Sequence, residues 1–371
     1  MARRVFFHVG LPKTGTTYLQ TILWGNREAL RDQGVLLPGA ERADHRWASL
    51  VVRDDPRLWR QAPRAAGAWD RVVSGCAAWD GTAVISHEFF GTATADQAGA
   101  AVEALEPAEV HLVVTAREPL GLLTAAWQES LKFRGTSALS EFSRDVSPSP
   151  HVIWNWRALD AGEVLGRWAQ VVPDERVHVI TVPGGGAPRS ELWRRFAGVV
   201  GIDPASCRLE TAQANQSMGV VEAEVLRRVN PHLGDFRSPY ERSTWIRTYL
   251  AGDHLVKRNG ERFLPEQDRV EECRGRGRAM VEMIRSRGFD VVGDVDDLLV
   301  PDDLPARRTP GSVTEAEVAQ VSVETVAAIL PDVRRLTRQA KKADESGARH
   351  RPMRGRELAR RLFARASRTS T

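Results

Sequence analysis

The string Gly10-Leu11-Pro12-Lys13-Thr14-Gly15-Thr16-Thr17 follows a short apolar run, Val5-Phe6-Phe7-His8-Val9. A strand, a glycine-bounded turn and then a helix is how a chain wraps backbone N–H groups around a phosphate. Gly10 and Gly15 keep the glycine spacing of the nucleoside-triphosphatase loop G-x-x-x-x-G-K-[ST]. Thr16 stands where that loop has its lysine, and Lys13 lies inside the turn instead. The cradle suits a phosphate, but its cation is placed differently from that of an ATPase. Each residue type has a role there. Gly15 lets the backbone come close without a Cβ in the way. Thr16 and Thr17 offer hydroxyls and N–H groups where the helix dipole favours an anion. Lys13 carries a compact, mobile ammonium suited to charge that develops during a reaction.

The first 300 residues alternate strand-like and helix-like segments. Short runs rich in Val or Ile at 5–9, 83–86, 110–115 and 176–182 read as buried parallel strands. Residues 16–31, 94–105, 120–133, 154–170 and 189–200 read as amphipathic helices between them. This order predicts an α/β fold, a central parallel sheet flanked by helices on both faces. Ligands of such sheets bind at the carboxyl ends of the strands, where the loop at 10–15 falls. Residues 34–80, with Trp47, Trp59, Trp69 and Trp79 among many charges, are expected to form helices over the substrate side. The predicted layout is one domain over 1–300, a Pro-containing linker at 301–312, a helix at 313–342 and a basic, disordered tail at 343–371.

Two further strand ends carry candidate groups. Val110 to Ala116 runs into Arg117-Glu118-Pro119, an arginine at a strand exit just before a proline that opens a helix. That suits a second anion site, or an arginine that bridges nearby carboxylates, Glu118 included. Val84-Ile85-Ser86 ends in His87-Glu88-Phe89-Phe90, two groups able to take a proton side by side. On an extended segment neighbouring side chains point to opposite sides, so one of the two is expected to face a ligand. The other histidines form no ligand set such as H-E-x-x-H, so no metal is expected. Asn215-Gln216-Ser217-Met218-Gly219 reads as a cap on the helix that follows, or as a second contact to a nucleotide.

Pro12-Lys13-Thr14-Gly15-Thr16-Thr17 resembles the 5′-phosphosulfate loop of the sulfotransferases that use 3′-phosphoadenylyl sulfate (PAPS). The resemblance implies a P-loop sulfotransferase-like fold, PAPS as donor co-substrate, and transfer of a sulfuryl group to a hydroxyl or amine of a small-molecule, carbohydrate or lipid acceptor. It implies that Lys13 acts on the leaving phosphate oxygen and that residues 12–17 hold the 5′-phosphate. It also implies that Arg117, in its R-x-P string, binds the 3′-phosphate. Relatives often have a serine eight residues after that arginine, where this chain has Ala125. Thr124 and Ser130 are the residues at hand to substitute for it. Such enzymes use a His or a Glu after the strand that corresponds to 83–86. Here Glu88 is the favoured base, with His87 as its orienting partner or as the alternative base.

At 371 residues with 42% apolar side chains, the chain can bury a sizeable core. Cys76, Cys207 and Cys273 form no C-x-x-C pair, which fits a reducing cytoplasm better than a disulfide framework. The apolar run after Met1 is shorter than the roughly 7–15 residues of a secretory signal, and nothing approaches the roughly 18 apolar residues of a membrane span. The formal charge of +4 is unevenly spread. Residues 334–371 hold thirteen Lys or Arg against Asp344, Glu345 and Glu357, about +10, so the rest of the chain is about −6. A cytoplasmic protein is expected, with polyanion or inner-membrane-surface contact through the tail. Two rival readings share these features: a P-loop kinase or hydrolase, and a non-enzymatic polyanion or membrane-surface binder.

Overall fold

The computed structural model describes residues 1–184, 186–188, 190–209 and 217–345. The chain divides into two compact units. The first comprises 1–127, 139–215 and 265–306, the second 128–138, 216–264 and 307–371. The body expected over 1–300 is therefore shared between two units that the chain enters more than once.

The first unit is built on a six-stranded sheet, β1 (Arg4–His8), β2 (Val35–Leu36), β3 (Thr82–Ser86), β4 (Glu109–Ala116), β5 (Val177–Thr181) and β6 (Asp290–Val292). The strand order is β2-β3-β1-β4-β5-β6, and every pairing is parallel. The α/β fold is the expected one, and four of its strands lie within a residue or so of their predicted ranges. The two edge strands β2 and β6 were not anticipated; at two and three residues they are too short for a periodicity to register.

Alternation along β1 shows why both sheet faces are covered. Phe6 belongs to a cluster with Leu19, Ile22, Leu23, Trp193 and Phe196, from the helices α1 (Thr16–Gly25) and Ser190–Val200. Phe7, one residue on, meets Trp69, Phe90 and Trp168 with ring centroids 6.2, 4.7 and 4.9 Å away. A central strand buried on both faces favours apolar residues, hence Val5-Phe6-Phe7, and its one buried polar side chain, His8, is hydrogen-bonded. The helix read as 16–31 is two helices, because Asn26 turns its side-chain amide onto the Ile22 and Arg208 carbonyls (2.8 and 2.9 Å) and leaves the helical conformation.

The second unit contains the helix Val220–Val229, a wide π-type helix Arg242–Leu255 and the long helix Glu315–Glu345. Arg247 pairs with Glu129 at 2.7 Å, Arg228 with Glu315 at 2.6 Å, and the Tyr249 hydroxyl donates to Asp332 at 2.9 Å. The C-terminal helix, expected at 313–342, runs through Pro331 over Glu315–Glu345. The tail from Ser346, and Asn215 and Gln216 of the N-x-S turn, lie outside the described residues. Among the described residues, no helix is long and apolar enough to cross a membrane.

Candidate active site

The carboxyl ends of β3, β1 and β4 are neighbours, with His8 of β1 in register with Ser86 of β3 and Val113 of β4. The chain lays β2 and β3 on one side of β1 and then β4 on the other. The loop after β1 therefore opens at the topological switch point, the usual ligand crevice of an open α/β sheet.

Backbone bonds hold that loop onto β4. The Leu11 N–H donates to the Thr115 carbonyl (2.8 Å) and the Thr115 N–H to the Gly10 carbonyl (2.6 Å). The Thr115 hydroxyl donates to the same Gly10 oxygen (2.9 Å), and the Thr14 hydroxyl to the Leu11 carbonyl (2.6 Å). Thr14 is fully buried, and its hydroxyl belongs to the floor of the loop. Pro12 and Thr16 are buried, Lys13 and Gly15 half-buried, and Thr17 exposed.

Lys13 has φ +65°, a left-handed conformation that costs an ordinary residue about 1–2 kcal/mol. Gly15, at φ +88° and ψ 10°, is the N-cap of α1. Gly15 has no side chain to cap that helix, and no acidic residue lies in its first turn. Its leading N–H groups, at Thr16 and Thr17, have no partner within the helix, as at any helix start. A tight turn with positive φ that leads into an uncapped helix start is an anion-binding concavity.

His87 and Glu88 stand against this loop, but not as an extended pair. His87 is extended and caps a short 3₁₀ turn that runs from Glu88 to Thr92. Its Nδ1 accepts the Phe89 N–H at 3.2 Å. The neutral ring therefore carries its proton on Nε2. Burial pushes the imidazole down to about 4, against the pull of Glu88. Glu88 packs so closely on the loop that a Cβ at Gly10 would come 3.2 Å from the Glu88 Cβ. Its Oε2 accepts the Gln20 amide from α1 at 3.1 Å and lies 4.0 Å from His87 Nδ1. Burial raises the Glu88 carboxyl, but His87, a backbone N–H, Gln20 and His8 outweigh it and hold the group below its ordinary value. Both groups are thus unprotonated at neutral pH.

Three arginines fix the turn that carries Glu88. Arg53 donates to the Thr92 hydroxyl (3.1 Å), Arg157 to the Thr92 carbonyl (2.9 Å) and Arg167 to the Gly91 carbonyl (2.9 Å). Beneath the loop, burial holds His8 at about 4, against Glu88; its Nδ1 lies 2.8 Å from the Ser86 hydroxyl and its Nε2 3.2 Å from the Thr115 hydroxyl.

Arg117 follows β4 directly. Its Nε lies 3.6 Å from Glu118 Oε1, and its side chain is 40% exposed. Glu118 also accepts the Gly121 N–H (2.8 Å), and burial raises its carboxyl despite that bond and despite Arg117. The carboxylate-bridging contact considered for Arg117 is therefore present, while much of the guanidinium stays open. The Thr124 hydroxyl donates to the Leu120 carbonyl at 2.9 Å, so its proton is already committed within the helix. Ser130 is buried and belongs to the second unit.

No family model matches the chain, and no curated protein does. Among solved structures, a sulfotransferase from Alicyclobacillus acidocaldarius is similar over 55% of this chain and 83% of its own. The identity is 18% and the TM-score 0.35.

The structure adds residues to those anticipated. Gln20 joins α1 to Glu88. Arg42, from the helix α2 (Arg42–Val52), donates to the Thr21 hydroxyl and the Gln20 side-chain oxygen Oε1 (both 3.1 Å) and to the Thr17 backbone carbonyl (3.4 Å). Sequence spacing alone does not show that α2 folds back onto α1. Among the described residues no group of three or more His, Cys, Asp or Glu is placed to hold a metal ion.

Proposed function

We propose that this chain transfers a sulfuryl group from PAPS to a hydroxyl or amine of an acceptor. The observation that carries the reading is the uncapped start of α1 at Gly15. It follows the left-handed Lys13 by two residues, and the hydrogen-bonded Glu88 packs on Gly10 at the other end of the same loop. The loop, with Lys13 as its cation, suits the phosphosulfate end of the donor, and Arg117 suits the 3′-phosphate once its exposed guanidinium is shared with Glu118.

PAPS would supply the sulfuryl group, and the chain's own side chains have the remaining tasks. Glu88 takes the acceptor's proton as the new oxygen–sulfur (or nitrogen–sulfur) bond forms. Lys13 and the N–H groups of residues 14–17 stabilise the charge on the phosphate oxygen as its bond to sulfur breaks. Adenosine 3′,5′-bisphosphate leaves with that electron pair. This is catalysis by placement and fixed charge.

Isothermal titration tests the reading. Adenosine 3′,5′-bisphosphate is expected to bind, with ATP–Mg²⁺ at least about tenfold weaker, the effect of one well-placed charged hydrogen bond. The reverse order would give the loop to a kinase or hydrolase, and no binding of either would leave the non-enzymatic reading.

A further inference from the structure

We propose that Arg42 and Arg46 form a subsite for a negatively charged group on the acceptor, a carboxylate, phosphate or sulfate. The inference deepens the sulfuryl-transfer reading and rests on it.

The two arginines are one turn apart on α2 and so share a face. Arg42 reaches Gln20, and the Gln20 amide holds Glu88. The pair therefore lies on the same side of the loop as the proposed base. Arg46 donates to the Gln61 side-chain oxygen at 2.8 Å. Burial lowers both guanidinium groups, Arg42 with Glu88 opposing the shift and Arg46 with no opposing charge. Among the described residues neither makes an ion pair.

Four other arginines of this segment do. Arg53 and Arg57 take Asp55 (3.4 and 2.6 Å), Arg64 takes Glu41 and Arg71 takes Asp44 (2.6 Å). Glu41, Asp44 and Asp55 are thus spent on neighbours, and the exposed Arg42 and half-buried Arg46 keep no carboxylate in ion-pair contact beside the base. Holding the Arg46 guanidinium partly away from water without a counter-ion is unfavourable, so a ligand anion is the partner that offsets it, with the exposed Arg42 one turn away as the second cation. Its planar fork matches carboxylate, phosphate or sulfate. Two residues before Gln61, Trp59 is 77% exposed and lies beside the Arg60 guanidinium (5.0 Å), a flat apolar surface for the carbon face of the same acceptor.

The test uses the full chain saturated with adenosine 3′,5′-bisphosphate. Matched pairs of ligands are titrated: methyl glucuronide against methyl glucoside, glucose 6-phosphate and glucose 6-sulfate each against glucose. At least one anionic member is expected to bind about tenfold tighter than its neutral partner, as a charge-assisted bidentate contact would give. Which pair shows the preference names the anion. Arg42→Gln/Arg46→Gln is expected to abolish the preference and to leave adenosine 3′,5′-bisphosphate affinity unchanged, which also reports that the variant is folded. No preference in any pair, or a preference that survives in the double variant, overturns the subsite. Loss of adenosine 3′,5′-bisphosphate binding in that variant overturns it too, by giving the arginines to the donor. Failure of the wild-type chain to bind adenosine 3′,5′-bisphosphate would instead reject the sulfuryl-transfer reading itself.

Discussion

The lone pair on His87 Nδ1 already accepts the Phe89 N–H, so that ring can take a proton there only by giving up the cap of the turn that carries Glu88. Glu88 has a second oxygen besides the one that meets Gln20, and its carboxyl is held below its ordinary value. Geometry and charge thus favour the glutamate as base, with the histidine as the group that shapes its turn. Glu88→Gln keeps the volume and the Gln20 contact while removing the proton acceptor. Turnover is expected to fall about 100- to 1,000-fold, the scale of general-base catalysis, with adenosine 3′,5′-bisphosphate affinity nearly unchanged. Steady-state kinetics alongside titration check this, and normal turnover in the variant would move the role to His87. The same carboxylate was legible in the sequence as half of a His-Glu pair. Which half faces a ligand was not, because the strand's period-2 alternation stops at Ser86 and a 3₁₀ turn takes over.

At the scale of elements, the junction between β1 and α1 depends on one backbone conformation. Gly15 sits at φ +88°, and a Cβ there would lie 2.4 Å from Leu192 Cδ2 on the helix Ser190–Val200. Gly15→Ala therefore meets a strained φ and a close contact together. A loss of about 1–3 kcal/mol in unfolding free energy is expected, read from the urea midpoint, together with weaker nucleotide binding as the helix start shifts. An unchanged midpoint would show that this junction relaxes freely. The loop could be read from sequence because its glycines, lysine and threonines are adjacent and each acts locally. The four long strands could be read because burial on both faces makes them continuous apolar runs. Arg42 and Gln20 could not, since their relation to Glu88 exists only after α2 packs back onto α1 and β3. The division into two units was equally hidden. The chain crosses from one to the other inside the helix Pro119–Lys132, between Trp127 and Gln128, where no proline or glycine marks a boundary.

For the molecule as a whole, three histidines close to the site are buried without a carboxylate hydrogen-bonded to their rings. His8 and His87 are held at about 4 by burial against Glu88, and His45 at about 4 by burial against the Pro38 carbonyl that its Nε2–H meets at 2.8 Å. Unfolded, each imidazole titrates near 6.5. Above that value both states are neutral and the histidines add no pH dependence. Between about 6.5 and 4 the unfolded chain binds protons that the folded chain refuses, so stability falls as the pH falls, and the dependence levels off below the folded values. Each ring contributes about 3 kcal/mol at most across that window. The depressed carboxyls of Asp44 and Asp55 act separately, since their stabilisation is kept above the unfolded carboxyl value and lost only as the pH drops further. Urea unfolding followed from pH 8 to pH 4 should therefore be flat to about 6.5 and then decline, these three rings adding up to about three protons to the slope and the His111 imidazole, also lowered by burial, adding to it. His45→Gln, which keeps a donor for the Pro38 carbonyl, should lower that slope by about one proton while reducing stability at every pH. A flat profile between 6.5 and 4 would mean that these rings gain protons in place, and that the floor beneath the loop is open to water rather than sealed.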